Sequence, residues 1–258
     1  MKKLTLLLVI SSACAIHSAS ANLIANGNFS SGNTGFTSDY SYVSPNTAEG
    51  QYYVLSGNAN TWNGGFSSLV GYGGSGNYLI ANGSADNTKS PWAQTVSSPS
   101  VTLTTDTNSP VYYRFEAQIA NLFAFDGGLP APDLAFEISV DGGAFNKFTA
   151  TPFLSPGSWN LVYADTYLTS APSSLSFRLR NQSTDLAGND FGVDSIYFGL
   201  TTAAPSYPSS PILSAGNIAN PTFVGPSAAV PEPGTWAAAA LLLGGAGFAR
   251  WRRRAKTA

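Results

Sequence analysis

Apolar and polar residues alternate with period two through much of the chain. Val111, Tyr113, Phe115, Ala117 and Ile119 interleave with Tyr112, Arg114, Glu116 and Gln118, the pattern of a strand with one buried face. Leu134, Phe136, Ile138 and Val140 interleave with Ala135, Glu137 and Ser139. Asp141-Gly142-Gly143 then supplies positive-φ turn residues, which predicts a hairpin returning through Phe145 to Phe148. Trp159 to Leu168 and Leu175 to Leu179 continue the pattern, the second with Ser176, Arg178 and Arg180 on its polar side. From Phe191 the phase slips, because Phe191 and Val193 share one parity while Ile196 and Phe198 take the other. A bulge near Asp194 reconciles them. The first third differs: Thr61-Trp62-Asn63-Gly64-Gly65 and Gly71-Tyr72-Gly73-Gly74-Ser75-Gly76 are glycine-dense loops carrying isolated aromatics.

Many short strands without a helical period, over residues 22–200, predict one all-β domain, a jelly-roll β-sandwich. The flanks read differently. Met1–Ala21 has Lys2 and Lys3, an apolar stretch and Ala19-x-Ala21, the form of a secretory signal peptide cut before Asn22. Residues 201–229 are Pro/Ala/Ser-rich, too poor in apolar surface to offset their ordering entropy, and read as a linker. Beyond it stand Val230, Pro231, Glu232, Pro233, Gly234 and Thr235, then an apolar run from Trp236 to Ala249, then Arg250, Arg252, Arg253 and Arg254 as a cationic stop, within 230–254. That run has 14 residues and as a helix covers roughly 21 Å, short of a hydrocarbon core near 30 Å. It predicts a short C-terminal transmembrane helix, a poor permanent anchor unless its flanks snorkel or the bilayer thins.

Composition then narrows the chemistry. Removing the basic termini leaves five basic residues against thirteen acidic ones between Asp39 and Asp194, a charge of −8, which disfavours nucleic acid as a partner. The lone Cys14 and lone His17 both fall in the signal peptide. The mature domain therefore has no thiol nucleophile, no imidazole base and no His or Cys metal ligand, and we expect it not to be an enzyme. A carboxylate-based glycoside hydrolase is the one catalytic alternative left.

Asn22-Leu23-Ile24-Ala25-Asn26-Gly27-Asn28-Phe29, Phe191-Gly192-Val193-Asp194-Ser195-Ile196 and Ser90-Pro91-Trp92-Ala93-Gln94-Thr95-Val96 resemble the opening, closing and an internal strand of galactose-binding-like jelly rolls and the carbohydrate-binding modules built on that fold. The resemblance implies sugar binding. Physically that asks for stacking on aromatics with polar groups beside them, and the candidates are Trp62, Tyr72 and Trp92 with Arg114 and Glu116, in a polar row that also holds Glu137, Arg178 and Arg180. A core role for the strand tryptophans and solvated cross-strand pairs for the charges are the plainer readings. The resemblance also implies a structural calcium where the domain's ends meet. Ser30 and Val193 stand where acids are expected, leaving Asp194 with Asn26 and Asn28 as donors; Asp194 as a turn or bulge former is the alternative.

Val230 to Thr235 with its helix and arginines resembles the PEP-CTERM sorting signal of Gram-negative bacteria. That resemblance implies export through the Sec translocon and signal peptidase, a transient stay in the inner membrane, and cutting within or next to Pro231-Glu232-Pro233 by an exosortase; an ordinary C-terminal anchor that stays uncleaved is the alternative. The product would reach the cell surface or the extracellular polysaccharide of a biofilm matrix. A purely structural matrix protein without a ligand site is the alternative function.

Overall fold

A computed structural model describes residues 21–106, 109–123, 131–150, 156–185, 187–201 and 222–223. The expected signal peptide, linker, sorting motif, apolar run and arginine cluster lie, apart from Ala21, Thr201, Thr222 and Phe223, outside the described residues. Among the described residues no helix is long and apolar enough to cross a membrane.

The domain is an all-β sandwich. Its strands are β1 (Ser41–Tyr42), β2 (Gln51–Ser56), β3 (Asn77–Asn82), β4 (Trp92–Ser97), β5 (Tyr112–Asn121), β6 (Leu134–Val140), β7 (Asn146–Ala150), β8 (Trp159–Tyr167), β9 (Ser174–Asn181), β10 (Phe191–Leu200) and β11 (Thr222–Phe223). One sheet has seven strands in the order β1-β2-β3-β10-β5-β8-β11, the other four in the order β4-β9-β6-β7. Consecutive strands are often placed in different sheets, so the two layers are laced together by the chain itself.

Alternation explains which residues fill the space between the layers. Tyr113, Phe115, Ala117 and Ile119 of β5 face Leu134, Phe136 and Ile138 of β6 and Leu175, Phe177 and Leu179 of β9 in one core cluster. Phe115 and Phe198 from one sheet meet Phe136 and Phe177 from the other, with centroids 5.1 Å apart for Phe115 and Phe136 and 4.7 Å for Phe177 and Phe198. Each fully buried phenylalanine stabilises the fold by about 1.5–3 kcal/mol relative to exposure. The hairpin predicted at Asp141-Gly142 joins β6 to β7, and Asp141 (φ 52°) and Gly142 (φ 71°) are both left-handed as such a turn requires.

The bulge is where the phase slip placed it. The β10–β5 register shifts between Asp194 and Tyr197, and Ser195 adopts φ 52°, so Phe191, Val193, Ile196 and Phe198 all enter the core despite their mixed parity.

Two features were not anticipated. The opening segment that the resemblance assigns to a first strand runs as turns, and it is tied to β10 by Leu23 N–H to the Phe198 carbonyl and by Ile196 N–H to the Gly27 carbonyl, both 2.8 Å. In addition, residues 57–76 fold back over the outer face of the seven-stranded sheet. Trp62, Phe66 and Leu69 from this loop pack on Tyr78, Ile80, Ala120 and Leu122 and make a second, smaller core.

Candidate functional site

Three neighbouring strands, β10, β5 and β8, set out the uncored part of the seven-stranded sheet's outer face in rows. Residues directly opposite across a ladder share a face, so Gly199, Arg114 and Asp165 form one row, Tyr197, Glu116 and Tyr163 the next, and Asp194, Gln118 and Leu161 the third. Tyr112 opposite Tyr167 closes one end, their rings edge-on at 6.2 Å. Trp159 stands at the other end, met by Tyr72 at 6.4 Å.

Arg114 organises the polar centre. Its Nε and Nη2 donate to Asp165 Oδ1 (2.7 Å) and Oδ2 (2.9 Å), a bidentate fork, and its guanidinium lies 3.8 Å from the Tyr163 ring centroid. Burial pushes the neighbouring Glu116 carboxyl above the usual range; Arg114 pulls it down and Asp165 pushes it up. Gly199 leaves room for Tyr197, whose hydroxyl lies 2.3 Å from where a Cβ would be and donates to the Leu200 carbonyl at 3.2 Å. The tyrosine ring is thereby laid along the sheet. The result is a charged and amide-bearing centre with half-buried tyrosines, Tyr112, Tyr167 and Tyr197, around it and Tyr72 beyond. Such a surface can stack on the C–H face of a ring while bonding its hydroxyls.

The structure brings Arg114, Glu116 and Tyr72 to this one face and removes the two tryptophans from it. Trp62 is 4% exposed, and its Nε1 donates to the Val43 carbonyl at 2.9 Å, so its ring is the anchor of the second core rather than a stacking platform. Trp92 is fully buried between the sheets, as its place on the core parity of β4 dictates. The polar row also divides. Glu137 faces Arg178 on the outer side of the four-stranded sheet and accepts from both Arg178 (2.5 Å) and Arg180 (2.9 Å), which is the cross-strand pairing of the plainer reading. Tyr112, Tyr163, Asp165, Tyr167 and Tyr197 were missed, although the alternating aromatics of Tyr163 and Tyr167 with Asp165 were visible on the polar parity of β8.

The expected calcium donors are each engaged in hydrogen bonds within the protein. Asn26 is turned into its own loop: its amide nitrogen donates to the Gly32 (2.9 Å) and Thr34 (2.8 Å) carbonyls and its oxygen accepts from Ser31 N–H (2.9 Å). Gln94 does the same next door, donating to the Ala25 carbonyl at 3.0 Å and to that of Gly35, and accepting from Ala25 N–H. Carbonyl oxygens that a hard cation would want are thus occupied by amide hydrogens. Asn28 accepts from Ser30 N–H, while Asp194 accepts from the N–H groups of Ser195 (2.6 Å) and Tyr72 (2.9 Å), fixing the bulge and the loop above it. Among the described residues no three carboxylate, histidine or cysteine groups gather as a metal site.

No family model and no curated protein matches the chain. Among solved structures, the chain is similar to a Stig cyclase, FisC, from Fischerella sp. TAU in complex with (3Z)-3-(1-methyl-2-pyrrolidinylidene)-3H-indole, at 13% identity over 72% of this chain and 100% of that one, with a TM-score of 0.50. The CBM22-1 xylan-binding domain of Paenibacillus barcinonensis Xyn10C (16% identity, 72% and 98% covered, TM-score 0.44) and TmCBM61 in complex with β-1,4-galactotriose (16%, 70% and 100%, 0.42) also match. At these identities the likeness is one of fold.

Proposed function

We propose that this is an exported, non-catalytic surface or matrix protein whose β-sandwich binds carbohydrate on the outer face of the seven-stranded sheet. The observation that carries the binding is the Arg114, Glu116 and Asp165 centre framed by half-buried tyrosine rings. Three points favour binding over catalysis. Both Asp165 oxygens are engaged by Arg114, so this carboxylate is held as an orienting group rather than presented as a nucleophile. The mature chain lacks histidine and cysteine. The sorting signal, by its resemblance, delivers the domain to a polysaccharide-rich exterior.

Affinity electrophoresis in the producing organism's own extracellular polysaccharide tests the binding. The double variant Tyr112→Ala, Tyr167→Ala is expected to weaken retardation about tenfold, the loss of roughly 1.4 kcal/mol of ring stacking. Unaltered retardation in the double variant, or none in the wild type, would leave the structural matrix role as the reading.

Export and processing are supported by Met1–Ala21 and by Val230-Pro231-Glu232-Pro233-Gly234-Thr235 followed by the apolar run and the arginines. The expected mature product begins at Asn22 and has lost Trp236 to Ala258. Intact-mass measurement of the exported protein checks this, and a mature chain that keeps those residues rules exosortase cutting out.

A further inference from the structure

At the corner of the seven-stranded sheet diagonally opposite the tyrosine-framed face, the loop before β2 and residues 62–64 enclose an open cleft of about 750 Å³. That size falls in the range of roughly 300–1,000 Å³ used for small-molecule sites. We infer that this cleft is a second, separate binding site for an amine-bearing sugar, with Glu49 holding the ammonium group and the Asn63 and Asn82 amides the hydroxyls.

The cleft is rigid before any ligand arrives. Asn46 is its hub: Nδ2 donates to the Ala48 carbonyl (2.9 Å) and to Gln51 Oε1 (3.1 Å), and Oδ1 accepts from the amides of Asn63 and Asn82, each at 2.9 Å. Gln51 Oε1 also accepts from Thr47 N–H and Ala48 N–H, so the loop that carries Glu49 is pinned from below. Trp62 also lines the cleft, and its buried ring is fixed through Val43. Preorganisation of this kind lowers the ordering cost of binding.

What the hub leaves available defines the ligand. Asn63 and Asn82 each spend one amide N–H on Asn46, and Asn82 Oδ1 accepts no hydrogen bond from a described residue, so donors and an acceptor suited to hydroxyl groups remain. Glu49 is the single charged group in the lining; it is exposed and makes no ion pair or hydrogen bond with a described residue. No lysine or arginine lines the cleft, and the domain around it carries the acidic surplus of −8, which draws cations and repels uronic acids. Gly64 contributes bare backbone with nothing within 4 Å of a would-be Cβ, leaving one wall open for a ring to lie close.

The test is calorimetric titration of the purified full chain with a glucosamine tetramer, its N-acetylated counterpart and cellotetraose. Saturable binding of the glucosamine tetramer is expected, with the other two at least tenfold weaker. Glu49→Gln, isosteric and uncharged, should weaken the amine sugar about fivefold, the scale of one partly exposed ion pair. Gly64→Tyr projects a ring at the open wall without touching the packed fold and should abolish the heat without lowering the urea midpoint. The Tyr112→Ala, Tyr167→Ala variant should bind the amine sugar as the wild type does, which separates this site from the sheet face. No binding by the wild type, equal binding of all three tetramers, or binding that survives Gly64→Tyr overturns the inference.

Discussion

Replacing Gly27 by alanine is expected to destabilise the domain by about 3–5 kcal/mol, among the largest effects of any single methyl group in this fold. The cause is backbone, not side chain. A Cβ at position 27 would lie 2.0 Å from the Ile196 carbonyl oxygen and 3.0 Å from its carbon, so neither partner can rotate away. Relief requires the opening segment to lift from β10. That breaks the Ile196 N–H bond to Gly27, the two bonds between Asn22 and β10 (Nδ2 to the Ile196 carbonyl, Phe198 N–H to Oδ1, both 2.9 Å) and the Leu23 bond to Phe198. It also uncovers Ile24 and Phe29, which are 3% and 0% exposed. Gly64→Ala is the control. Its Cβ meets nothing within 4 Å, so the chief effect is a less flexible unfolded chain, worth about 0.4–1 kcal/mol of stabilisation. Urea unfolding of both variants measures the contrast; a Gly27→Ala loss below about 1 kcal/mol would mean that the segment is not seated on β10 as described.

Those contacts show how far the sequence could be read. Period two assigned the inward parity of β5, β6 and β9 correctly, because that parity points into the core between the two sheets, and the parity slip in β10 located the bulge now seen at Ser195. Parity names a face but not a sheet. Arg114 and Glu137 read as members of one polar row, yet they lie on opposite outer surfaces of the sandwich because β5 and β6 belong to different layers. The aromatic loops misled for a related reason. Trp62 among glycines looks like an exposed platform, whereas the loop's glycines let it turn tightly enough to press Trp62, Phe66 and Leu69 onto the sheet. The signal that could have revealed this was in β3, where Tyr78-Leu79-Ile80-Ala81 is apolar on both parities and fully buried, the mark of a strand covered on two sides.

Asp190 is the group on which the pH dependence of stability is expected to turn. It is 7% exposed at the end of β10, and burial raises its carboxyl to about 6; a hydrogen bond from Gly83 N–H at 3.1 Å opposes the rise, and the Glu49 charge adds to it. Among the described residues no cation pairs with it: buried Tyr40, itself raised chiefly by burial and further by Asp190 and Asp86, lies alongside, and Asn189 packs its amide against Gly83 so closely that a Cβ there would fall 1.6 Å from Oδ1. A raised carboxyl has a definite sign. Between about pH 4 and 6 the native state keeps a proton that the unfolded chain has released, so stability is greatest below that window and declines as pH rises through it. Glu116, also raised, acts in the same direction, whereas Asp86 and Asp141, held low by hydrogen bonds from Thr88 and from Ser173 and Ser174, lose their contribution only in stronger acid. Asp190→Asn keeps an oxygen for Gly83 N–H and discards the charge. At pH 7.5 it is expected to stabilise the domain by about 2 kcal/mol, somewhat less than the full shift would give at 1.36 kcal/mol per unit, and at pH 4 to leave stability nearly unchanged. Paired urea titrations at the two pH values decide it: an equal effect at both, or a loss at pH 7.5, would show that the carboxylate is stabilised by a partner rather than strained by burial.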